Sequence, residues 1–65
     1  MLPYKIISIN KETIVVQFGV RTITYSVILE NDKFADIVTT DDDSSIPLNV
    51  ISILCSDVEK QINEL

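Results

Sequence analysis

Apolar and polar positions alternate in steps of two between Thr13 and Leu29. Ile14, Val16 and Phe18 share one side of the first run, and Thr13, Val15 and Gln17 share the other. After Gly19, Ile23, Tyr25, Val27 and Leu29 repeat the pattern against Thr22, Thr24, Ser26 and Ile28. This period predicts two half-buried antiparallel strands, at about 13–18 and 22–29. Gly19 is the only glycine in the chain, and parity restricts the loop built on it. A two-residue Gly19-Val20 loop opposes Phe18 to Arg21, Val16 to Ile23 and Ile14 to Tyr25. A four-residue loop opposes Phe18 to Ile23. A three-residue loop would set Val16 against Thr24, because a one-residue slip inverts a strand. Glycine at the first loop position favours the two-residue type II′ form.

Tyr4 to Ile9 is rich in β-branched residues and predicts a further strand, entered after Pro3 and ending at an Asn10-Lys11-Glu12 turn. After Leu29 the pattern changes. Residues 30–45, ENDKFADIVTTDDDSS, hold six acids and one lysine. They read as an acidic connection, with room for a short strand at 35–40, since sixteen unstructured residues are unusual in a compact domain. From Ile51 the spacing becomes helical. Leu54, Cys55, Val58, Ile62 and Leu65 form one stripe with Ile51 on a helix at about 46–64. Asp41 to Ser45 precede it as capping groups and favourable charges. A rival reading makes Val50 to Leu54 a strand and starts a short helix at Ser56, where Ser56 and Glu59 match a capping box. The long helix is preferred because the stripe crosses Ser56 without a break in phase.

These elements predict an α+β fold, a three-stranded antiparallel β-meander followed by a C-terminal helix (β-β-β-α), as one small domain over 1–65. The alternative is a small SH3-like β-barrel with a short C-terminal helix. The expected core sets Ile7, Ile9, Ile14, Val16, Phe18, Ile23, Tyr25, Val27 and Leu29 against Ile51, Leu54, Val58 and Ile62. Ile6, Val15, Ile28, Val50 and Ile53 are left over and form the candidate interface.

Size sharpens that remainder. A 65-residue chain buries only about 60% of the surface its unfolded form exposes. Small domains commonly add a disulfide, a metal or a second copy. Cys55 is the only cysteine and histidine is absent, so self-association, most simply as a dimer, or a protein partner is the expected staple. The net charge of −5, ten acids against five bases, argues against direct nucleic-acid binding and against docking on anionic membranes. The lone cysteine and the absence of a signal-like or membrane-length apolar run predict a cytoplasmic protein.

Candidate chemistry is sparse. Without histidine the Ser-His and Cys-His nucleophile arrangements are excluded, and Cys55 lies on the apolar stripe as a small core residue. Asp41, Asp42 and Asp43 are three adjacent carboxylates. They lack the alternating spacing and the glycine of an EF-hand, and read as a solvated acidic contact. A phosphate-cradling loop needs more than one glycine. The chain is therefore expected to be no enzyme and to use no cofactor and no metal. The spacing of Ile6 and Ile9 ahead of Ile14, Val16 and Phe18, with the chain length, resembles short accessory open reading frames of tailed phages. That resemblance covers the first hairpin and implies a phage or mobile-element origin. The expected function is a small acidic protein–protein interaction or self-assembly module. The alternative is an acidic inhibitor or nucleic-acid mimic that blocks a basic site.

Overall fold

A computed structural model describes residues 2–65. Four strands and one helix follow in order: β1 (Lys5–Ile9), β2 (Thr13–Phe18), β3 (Arg21–Glu30), β4 (Lys33–Val38) and α1 (Leu48–Asn63). The strands form one antiparallel sheet in the order β1-β2-β3-β4, and α1 packs across one face. The class is α+β. The sheet is open, with β1 and β4 as free edges, so it is not an SH3-like barrel.

The fold departs from a three-stranded meander at the acidic connection, where β4 occupies Lys33–Val38. The cause is local. Asn31 and Asp32 both take positive φ, 53° and 66°, between Glu30 and its partner Lys33. Two successive left-handed residues make a type I′ hairpin turn, which Asn and Asp tolerate better than other non-glycine residues. The turn at Gly19 is the other primed form. Phe18 pairs with Arg21 and Val16 with Ile23, so the loop is Gly19-Val20, with φ of +63° at Gly19 alone. A Cβ at residue 19 would meet nothing within 4 Å, so glycine is needed there for its backbone freedom and not for space. The β1–β2 turn is closed by Asn10, whose Oδ1 accepts from the amides of Glu12 and Thr13 at 2.7 and 2.9 Å.

Two β-bulges set the side-chain pattern. Ile6 pairs with Val16, and the next pair is Ser8 with Val15. Ile7 is the extra residue and stands 52% exposed, which corrects its assignment to the core. Ile6 takes the inward place instead and packs against the core. A second bulge follows Ile28, which pairs with Asp36 before Leu29 pairs with Phe34.

The buried core is Tyr4, just before β1, with Ile14, Val16, Ile23, Tyr25 and Ile37 on the sheet, against Leu54, Val58 and Ile62 on the helix. Every fully buried residue described is apolar or aromatic. Ile51, expected in the core, is only half-buried. α1 continues through Ser56 without a break. Its N-cap is Pro47, with no side-chain cap and no acid in its first turn, so the acidic run does not serve the helix end.

Candidate functional site

That acidic run serves the sheet. β4 ends at Val38 opposite Ser26, which leaves the β4-facing edge of β3 unpaired from Thr24 toward Arg21. Side chains extend the ladder to Thr24. Thr39 Oγ1 donates to the Thr24 carbonyl at 2.7 Å, and Asp41 Oδ2 accepts from the Thr24 amide at 3.1 Å. Asp42 accepts from the Ser44 amide and hydroxyl at 3.0 and 2.6 Å, and these bonds, with Arg21 nearby, hold its carboxyl below the usual range. Asp43 Oδ2 accepts from the Tyr25 hydroxyl at 3.2 Å. The Arg21 guanidinium donates to Ser45 Oγ at 3.1 Å and to the Asp42 carbonyl. All three aspartates of the candidate acidic contact are thus engaged inside the chain. Among the described residues no group of three or more histidine, cysteine, aspartate or glutamate side chains is gathered for a metal ion.

A similar tie holds the β1 side of the molecule. Tyr4 donates its hydroxyl to Asp57 Oδ2 on α1 at 2.9 Å, and Gln61 Nε2 donates to Asp57 Oδ1 at 2.9 Å. Burial, then the neighbouring carboxylate, pushes each tyrosine pKa up to about 12. Cys55 is half-buried, and its thiol is also pushed up, by burial and then by Asp36. A thiol held protonated is a poor nucleophile.

What remains is the face of the sheet opposite α1. The registers place Lys5, Gln17 and Thr22 in one row across it, then Ser8, Val15 and Thr24, then Thr13, Ser26 and Val38, then Ile28 and Asp36. Ile7 stands out beside Ser8 at the bulge. Val38 is 49% exposed and Ile28 43%, while Val15 is half-buried among its threonine neighbours. Four aliphatic side chains therefore lie among threonines and serines, with Asp36 beside Ile28. A hollow lined by Thr24, Ser26, Val38, Thr39, Thr40 and Asp41 opens at its β4 side.

The sheet edges are less inviting to a partner strand. β1 is five residues long and bulged. On β4 the carboxylate of Asp36 occupies the Ile37 amide at 2.8 Å. Short, bulged or side-chain-capped edges resist strand addition.

The structure separates the five candidate interface residues. Val15 and Ile28 lie on the open sheet face. Ile6 and Val50 pack against the core on the covered side. Ile53 is 45% exposed on α1, away from both. Ile7 and Val38 complete the open face and were not among the candidates. An Asn31-Asp32 turn signal identifies Val38 as a strand residue, whereas nothing in the sequence marks the bulge that turns Ile7 outward. No helix among the described residues is long and apolar enough to cross a membrane. Compared with known protein families, curated proteins and solved structures, the chain matches none.

Proposed function

We propose that this chain is a non-enzymatic protein–protein interaction module that works through the uncovered face of its sheet. One observation carries the reading. The same four strands bury one face under α1 and leave Ile7, Val15, Ile28 and Val38 together on the other. Exposed apolar groups set among uncharged polar ones are a common feature of protein interfaces. A sheet of this size needs only one covered face to hold its shape, so the aliphatic residues on the second face are available for a partner. The acidic-mimic alternative has weaker support, because Asp41, Asp42 and Asp43 bond within the chain.

The test compares the wild-type chain with Val38→Asp, whose fold is checked by circular dichroism. Solution mass by light scattering is measured on both, and each is used as bait for protein partners. The expected result is an association of the wild-type chain, with itself or with a captured protein, that Val38→Asp loses. A wild-type mass of one chain, with no protein captured in excess of the Val38→Asp bait, overturns the reading.

A further inference from the structure

We infer that strand β4 exchanges between two lengths: the short one, which stops at Val38, and a longer one that continues in the same register through Asp42. The side chain of Asp41 holds the short form as the major state. The exchange is a property of the sheet edge alone and does not depend on what covers the open face.

Three side-chain groups stand where a longer strand would put backbone groups. Ser26 pairs with Val38 and Ile28 with Asp36. The same register continued sets Thr40 opposite Thr24, Asp41 opposite Ile23 and Asp42 opposite Thr22. The Thr24 amide and carbonyl both face this edge, where they bond Asp41 Oδ2 and Thr39 Oγ1. In the longer strand their partners would be the carbonyl and amide of Thr40, the residue between those two. Backbone groups alternate in direction along a strand, so the amide and carbonyl of Thr22 face the same way as those of Thr24. They would meet the carbonyl and amide of Asp42. That carbonyl already lies at the edge, where it accepts from the Arg21 guanidinium. The segment thus follows β3 with side chains in place of a ladder, bond for bond at Thr24.

What stops the strand is the face on which Asp41 would land. Ile23 has no exposed surface, and a residue paired with it points to the same, covered side. Every buried residue described there is apolar or aromatic. A carboxylate brought into that setting loses its hydration and finds no partner. In the short form Asp41 stays exposed. The neighbouring residues pull the other way, because Thr39 and Thr40 are β-branched and favour a strand. No residue from 39 to 45 is fully buried, so the segment has no apolar anchor and opens locally at low cost. On closing as a strand it would give up the bond from Tyr25 to Asp43 at 3.2 Å and those from Arg21 to Ser45 and Asp42. It would gain the backbone pair at Thr22. The turn in which the Ile46 amide donates to the Asp43 carbonyl at 2.9 Å begins after Asp42, so the long form ends before it.

The two lengths shape the open face differently. In the long form Thr40 joins the row of Val15 and Thr24 and fills the hollow that Thr24, Ser26 and Val38 help to line. The exchange therefore opens and closes that hollow.

Substitution at position 41 separates the two forms. Asp41→Val removes the charge and offers a β-branched side chain to Ile23, and is expected to make the long form dominant. Carbon-13 shifts of residues 40–42 then move to strand values. The Thr22 amide exchanges about tenfold more slowly than in wild type, while the Thr24 amide keeps its protection. Asp41→Ala removes the same acceptor but gives the long form no side chain to pack, so Thr24 exchanges faster in that variant. The Ile23 amide, on the residue paired with Val16, reports in both that the sheet is intact. In wild type, relaxation dispersion at residues 40–42, which reads microsecond-to-millisecond exchange, is expected to give a minor state whose shifts match those of Asp41→Val. Unchanged Thr22 exchange in Asp41→Val, with residues 40–42 lacking strand shifts, overturns the long register. Flat dispersion in wild type, or minor-state shifts that do not match, overturns the exchange.

Discussion

The two faces of the sheet are built from the same four strands by alternate residues, and they differ in every respect that packing controls. The covered face is apolar and sealed, and its two tyrosine hydroxyls are held by Asp43 and Asp57. The open face is threonine and serine with four aliphatic residues set among them. The contrast shows how one helix divides labour in a small sheet. Where α1 lies, side chains carry stability. Where it does not, the same backbone presents a surface that is too apolar for a purely solvated face and too polar for a core.

The sharpest break of that comparison is Leu54→Ala. Leu54 has no exposed surface, and truncating a buried leucine costs about 2–5 kcal/mol. A domain of this length has only about 3–10 kcal/mol of stability in total. The urea midpoint is expected to fall to near zero or to vanish. Next comes Tyr25→Phe, which keeps the ring and removes the bond to Asp43. A loss of about 1 kcal/mol is expected from urea titration. Asp41→Ala removes the acceptor for the Thr24 amide on the exposed sheet edge. It is expected to cost at most about 1 kcal/mol and to speed hydrogen exchange at Thr24 more than at Ile23, which pairs with Val16. The smallest effect is Val38→Thr on the open face, expected within about 0.5 kcal/mol of wild type in the monomer. A loss there as large as that of Leu54→Ala would show that the two faces do not differ in kind.

Alkaline titration separates the faces in another way, because both raised tyrosines lie on the covered side. Their folded pKa values of about 12 exceed the ordinary value of 10.0. Between these values the unfolded chain has released protons that the folded chain still holds, so stability falls as pH rises. Their contribution is complete below pH 10 and is lost through about pH 12. Tyrosinate absorbance is expected to rise together with unfolding in wild type, and the stability slope to flatten in the Tyr4→Phe, Tyr25→Phe double variant.

Much of this was legible from the chain. Parity around Gly19 leaves two loop lengths, and the II′ preference of glycine selects the one observed. The helical stripe crosses Ser56, and so does α1. Strand β4 was legible only as room for a short strand at 35–40, because its acids, Asp36 above all, look like those of a solvated loop. Its turn was nonetheless written in Asn31-Asp32. The bulges were not legible. A bulge adds one residue without changing composition, so Ile6 and Ile7 exchange places and the apolar pattern reads equally well either way. The acidic run misled for a different reason. Carboxylates near a helix start have a familiar local role. Completing the edge of a strand some seventeen residues earlier in the chain is a tertiary relation that spacing does not encode. Of the open face, Val15 and Ile28 followed from alternation, whereas Ile7 and Val38 waited on the bulge and on β4.

The neighbour-to-neighbour strand order has a consequence for how the molecule is made. Each strand pairs only with its neighbours in the chain, so loop closure costs little at every step and the sheet can zip up in the order of synthesis. The helix that seals one face lies C-terminal to all four strands. At translation rates of about 5–20 residues per second, it reaches a finished meander only after a delay on the order of seconds. During that interval both faces of the sheet are bare. The nascent chain must then rely on its blunted edges and its surplus of negative charge to keep from joining its neighbours before the helix arrives.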